Sequence, residues 1–203
     1  LSQLFHDLQE GSDAHPIWLP LDHFSIFRSN PSIEDMTADE ALRQNLRDFY
    51  MLLLRLSANF KDRAFADFNY VLDQLNDAML AKLPRTGPTQ HAVETIEDWP
   101  LPSADVSTKA YRDAIDQARI EFSDAFLCRF HEMTPRNRVV LFADDYCWIA
   151  EQPIGAWFFD LVLQMPDTLV MLSRTDAPLP VDGSHFVQLP LGPFDPGEVR
   201  QYL

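Results

Sequence analysis

Cysteine is nearly absent from this chain of 203 residues: there are two, Cys128 and Cys147. They stand in no metal-binding or redox spacing, which argues against a disulfide framework and a cysteine-based zinc motif. They read as two buried or half-buried thiols in a reducing compartment, so the expected location is cytoplasmic. Basic residues are scarce as well: 16 Lys and Arg stand against 31 Asp and Glu, a formal net charge of −15. A general nucleic-acid binder needs a basic face to neutralise phosphates, so direct nucleic-acid binding is not expected. Anionic membrane surfaces are disfavoured for the same reason. No apolar run approaches the roughly 20 residues of a membrane-spanning helix, and no basic segment of the secretory kind opens the chain. Common hydrolase signatures are missing too. The six histidines form no H-E-x-x-H, and there is no G-x-S-x-G. The acid–histidine neighbours Asp22–His23 and His131–Glu132 read as solvated or capping histidines.

What is present is enough apolar sequence, 46%, to build the core of a good-sized domain. Leu1, Leu4, Phe5 and Leu8 have the spacing of an amphipathic helix, with Gly11 placed to end it. Ile17, Trp18, Leu19 and Leu21 read as a short buried strand, and Pro20 suits a sheet edge. Thr37 and Glu40 ("TADE") form a capping box ahead of the stripe Leu42, Leu46, Phe49, Leu53, Leu56. A second helix carries Phe65, Phe68, Leu72, Leu75 and Met79 and stops at Pro84. Residues 84–107, with Pro84, Pro88, Pro100 and Pro102, read as an extended surface loop. A third helix shows Tyr111, Ile115, Ala118, Phe122 and Phe126 and ends before Pro135. The three stripes read as core faces.

From Arg138 the rhythm changes. Val139–Ala143 is a buried strand, "QPIGAWFFDLVLQM" a helix ended by Pro166, "DTLVMLSR" another buried strand and "HFVQLPL" a third. Asp195, Pro196 and Glu198 then open a last helix as N-cap, N1 and N3. Strands separated by helices require crossovers, so the expected fold class is α/β with a mainly parallel sheet.

"RVVLFADDYCW", residues 138–148, carries the chemistry. An apolar run ends in two adjacent carboxylates, Asp144 and Asp145, whose charges repel. Ligands of open parallel sheets sit beyond the carboxyl ends of the strands. There one carboxylate can help to hold Mg²⁺ on a nucleoside triphosphate while the second orients or deprotonates an attacking water. The cation would also relieve the repulsion. Ser173 and Arg174 end the next strand, and an arginine there can touch the γ-phosphate as charge develops.

The ordered set "VVLFADDY", "PIGAWFFDLVLQMPDTLVMLSRTDAP" and "HFVQLPLGPFDPGEVRQYL" resembles the second half of a signal-transduction P-loop ATPase of the STAND class, the AAA+-like group holding NACHT and NB-ARC modules. The resemblance covers residues 138–203, extends plausibly to 1–22, and is absent from the helical middle. It implies a three-layer P-loop NTPase-like parallel sheet, incomplete, with the first strand missing. Residues 1–34 would be the end of the P-loop helix and the second strand, 35–137 a helical insertion, and 138–203 the Walker B, sensor and last strands with the start of a further helix. It assigns Asp144 to the Walker B metal ligand, Asp145 to the catalytic acid (many relatives carry Glu there), Arg174 to the sensor arginine and Ser173 to a weaker nucleotide contact. The implied cofactors are ATP and Mg²⁺. The implied partners are flanking sensor or effector domains and other proteins, with oligomerisation that depends on nucleotide.

Such a site needs G-x-x-x-x-G-K-[ST], and no glycine of this chain precedes a lysine. Lys61, Lys82 and Lys109 all lie in the helical middle. "GPFDPGEV" has the glycine spacing but continues Glu-Val and follows the wrong strand. The expectation is therefore a fragment cut just after the phosphate loop and before the lid helices, with weak or no nucleotide binding by residues 1–203 alone. The alternative is a degenerate, non-hydrolysing ATPase-like scaffold for protein–protein interaction.

Overall fold

A computed structural model describes residues 14–21, 37–60, 63–82, 108–133 and 138–173. In chain order these form β1 (Ala14–Pro20), α1 (Ala38–Ala58), α2 (Phe68–Lys82), α3 (Thr108–Met133), β2 (Arg138–Asp144), α4 (Pro153–Leu163) and β3 (Thr168–Leu172), with short 3₁₀ turns at Arg63–Phe65 and Tyr146–Trp148. The expected N-terminal helix, the loop 84–107, Arg174, the strand "HFVQLPL" and the helix opened by Asp195 all lie outside the described residues.

The strands pair in parallel in the order β1-β2-β3, with Ile17 opposite Leu141 and Leu141 opposite Val170. Both connections step across the sheet in the same direction. Right-handed crossovers taken in one direction leave their helices on a single face. The core is arranged that way. Ile17, Leu19, Val139, Leu141 and Ala143 share one buried cluster with the apolar stripes of all four helices. Of the middle segment, α1 lies against β1, and α2 and α3 pack on α1 and on each other within the same core. The second face carries Trp18, Val140, Phe142 and Leu169. Phe142 is 1% exposed and stacks on Trp18 at 6.0 Å, although neither belongs to the helix-covered cluster. β2 is thus buried on both faces, as its unbroken run of apolar residues requires.

Local chemistry explains the helix boundaries. Thr37 and Glu40 close the expected capping box: the Thr37 N–H donates to Glu40 Oε2 at 2.8 Å and the Glu40 N–H to Thr37 Oγ1 at 3.3 Å. The helical layer is knit by phenylalanines, with Phe126 lying 5.4 Å from Phe65 and 5.7 Å from Phe68 and stacking on Phe130. Offset and edge-on pairs of this kind each contribute about 0.5–1.5 kcal/mol beyond their burial.

Three expectations need correction. The second helix starts at Phe68, because the chain turns through a 3₁₀ segment at Arg63–Phe65 that puts Phe65 into the aromatic cluster from outside the helix. β3 is not a buried strand: none of its residues is fully buried, and Leu169 is 54% exposed. Among the described residues it has a neighbour on one side only and helical cover on one face only. Cys128 is exposed, since it lies on the outer side of α3, while Cys147 is half-buried.

Candidate functional site

Parallel pairing brings the carboxyl ends of the strands to one rim, and the backbone ladder runs past them. The Leu21 N–H donates to the Asp144 carbonyl, the Ser173 N–H to the Ala143 carbonyl and the Tyr146 N–H to the Ser173 carbonyl, each at 3.0 Å. The ends of β2 and β3 are therefore tied together on both sides of the two acids.

Between these ties the chain turns sharply. Asp145 has φ 58° and ψ 38°, a left-handed conformation that few residues other than glycine adopt, with Asp and Asn among the most tolerant. Its N–H points back into the corner and donates to Ser173 Oγ at 3.0 Å and to Asp144 Oδ1 at 3.1 Å. The Ser173 hydroxyl in turn donates to Asp144 Oδ1. The three residues close a small ring in which both donors fall on the same oxygen, Oδ1, of Asp144.

This arrangement answers the electrostatic difficulty of two adjacent carboxylates. Asp144 is half-buried, but one of its oxygens is neutralised by an O–H and an N–H. Asp145 is exposed, so water screens its charge. The fixed Oδ1 leaves Oδ2 of Asp144 and the carboxylate of Asp145 as the chemically available acceptors. One or two carboxylates, completed by water and phosphate oxygens, is how Mg²⁺ is usually held. Among the described residues no group of three or more His, Cys, Asp or Glu side chains could hold a metal ion by itself. Asp144 and Asp145 alone could hold a cation only if water, a ligand or other residues completed its shell.

The floor under the rim is built by the 3₁₀ turn Tyr146–Trp148 and the start of α4. Tyr146 is buried, and its hydroxyl donates to the Gly155 carbonyl at 3.3 Å. Gly155 lets α4 begin directly against this turn: a Cβ there would sit 2.1 Å from the Ile149 carbonyl oxygen. Neither residue stood out in the sequence as part of the site. A glycine two residues after the proline that opens α4 was the signal in the sequence.

Of the four residues singled out in the sequence, Asp144, Asp145 and Ser173 come together, and Arg174 lies outside the described residues. The Ser173 hydroxyl is engaged with Asp144 and with the Asp145 N–H. No protein-family model matches the chain, and no curated protein or solved structure is significantly similar to it.

Proposed function

We propose that Asp144, Asp145 and Ser173 form the magnesium-facing half of a nucleoside-triphosphate site, in an ATP-driven regulatory switch of the STAND type. The observation that carries this reading is the ring at the ends of β2 and β3. One acid is held rigidly with a single free oxygen, as a metal ligand should be, and the next is presented to solvent, as a water-orienting acid should be.

The topology supports the same reading. In open α/β sheets the ligand sits where the strand order reverses. Among the described residues the order β1-β2-β3 does not reverse and β3 has no neighbour on its far side, so on this reading the reversal, and with it the crevice, would lie beyond β3, next to Ser173. The phosphate-binding half would approach from there. No G-x-x-x-x-G-K-[ST] occurs within these 203 residues, so on this reading that half would come from outside them. In the assembled site Asp144 would bind Mg²⁺ directly, Asp145 would orient the attacking water and Arg174 would reach the γ-phosphate.

Calorimetric titration of the longest natural chain containing this segment with Mg·ATP tests the proposal. Asp144→Asn should weaken Mg·ATP binding by about tenfold or more while leaving metal-free ATP little changed. Asp145→Asn should spare binding and slow turnover by about a hundredfold. Unchanged binding and turnover in Asp144→Asn would refute the assignment. Absence of nucleotide binding in the unmodified long chain would favour the scaffold reading, which the missing phosphate loop also supports.

A further inference from the structure

On the helical side of the molecule, away from the strand ends, α3 and α4 leave an open groove of about 380 Å³. Two large apolar side chains flank it where water would be expected to select polar ones: Ile120 on α3 is 40% exposed and Leu163 on α4 is 51% exposed. Each is the outlier of its helix, since the inward stripes of α3 and α4 are already filled by buried residues.

The rim of the groove is acidic. Asp124 lines the groove one turn beyond Ile120 on α3, and Asp116, outside the lining, lies one turn before Ile120 on the same helix. Both are exposed, and neither has an ion pair among the described residues. Asp160 on α4 is 60% exposed, and its one cation among the described residues, Arg119, reaches it only at 3.9 Å. Arg119 does not reverse the sign, because its side chain is only 20% exposed and its guanidinium is turned towards Asp160. An anionic ligand would meet these carboxylates before it met Arg119. A cationic one would meet Asp124, and Asp160 only loosely offset by Arg119, on a chain whose net charge is already −15.

From these exposed apolar anchors beside exposed carboxylates we infer that the α3–α4 groove docks a basic amphipathic helix of a partner protein. The apolar face of that helix lies between Ile120 and Leu163, and its Lys or Arg side chains reach Asp116, Asp124 and Asp160. Two helices with a groove between them are the usual receptor for a third, read through anchors at helical spacing. This inference is independent of the nucleotide site.

A fluorescein-labelled amphipathic peptide of leucine and lysine, titrated into the full chain by anisotropy, provides the test, with its leucine–glutamate twin as control. The cationic peptide should bind and the anionic one should not. Ile120→Ser with Leu163→Ser, which leaves the charge unchanged, should weaken binding by about tenfold or more, and so should Asp124→Lys with Asp160→Lys. Asp77→Lys with Glu132→Lys makes the same charge change elsewhere and should stay within about twofold of the unmodified chain. Circular dichroism would verify that each variant is folded. Equal losses in the groove and remote charge variants would show general attraction to an acidic protein and overturn the inference. So would full binding by the serine pair. Self-association of the chain that disappears in the serine pair, without peptide binding, would assign the groove to a second copy and overturn it as well.

Discussion

Asp145 is the residue at which local preference and position conflict. A left-handed turn between a buried strand and a 3₁₀ segment is most easily made by glycine, yet the chain places a carboxylate there. Strained positions of this kind cluster at functional sites, and Asp145→Asn keeps both the conformation and the size while removing the charge. Ten residues on, Gly155 shows the opposite case. Its φ is ordinary, and what it supplies is space. An added methyl would overlap the Ile149 carbonyl, a backbone atom fixed by the turn that leads out of Asp145. Gly155→Ala should therefore lower the unfolding free energy by about 1–3 kcal/mol or more, seen as a lower urea midpoint at unchanged slope. A variant as stable as the unmodified chain would mean that the close approach of α4 to the turn is not required.

At the scale of elements, apolar runs and capping chemistry made much of the layout of the described residues legible in advance. The run Val139–Ala143 is a central strand, Pro20 closes an edge strand of the described sheet, and the box of Thr37 and Glu40 opens α1 as its spacing indicates. The contacts that join elements were not legible, because they pair residues far apart in sequence. The tie from Ser173 to Asp144 spans 29 positions, and the family resemblance offered that serine only as a weaker nucleotide contact. The start of α4 is a stronger case. Its N-cap residue, Gln152, makes no side-chain cap, and the Ile154 N–H instead donates to Asn45 Oδ1 at 3.1 Å, from a residue 109 positions earlier on α1. Asn45 is buried, and its amide also donates to the Ala41 carbonyl at 2.7 Å. Asn45→Ala would leave a buried N–H without a partner, at a cost of about 1–3 kcal/mol. Thr37→Ala acts on an exposed cap and should cost about 1 kcal/mol. Chemical denaturation of the two variants side by side checks the order. Equal losses would show that water replaces Asn45 at α4.

At the scale of the whole molecule, an excess of 15 negative charges makes the compact state increasingly self-repelling as carboxylates ionise. One group sharpens this trend. Asp48 on α1 is partly buried, and that burial pushes its carboxyl up to about 6. Its hydrogen bond from Gln44 Nε2 at 3.1 Å and the charge of Arg47 only partly offset the effect. The folded state thus holds this proton more tightly than the unfolded chain, whose aspartates titrate near about 4. Between those two values the native state binds more protons, so stability falls as pH rises through the window and levels off above it. Asp48→Asn removes the titration and keeps the hydrogen-bonding shape. It should match the unmodified chain at about pH 4 and exceed it by about 1–2 kcal/mol above pH 6. Melting temperatures of the two proteins across pH 4–8 measure the difference directly. Parallel curves would assign the pH dependence to the diffuse charge excess alone and remove Asp48 from the account.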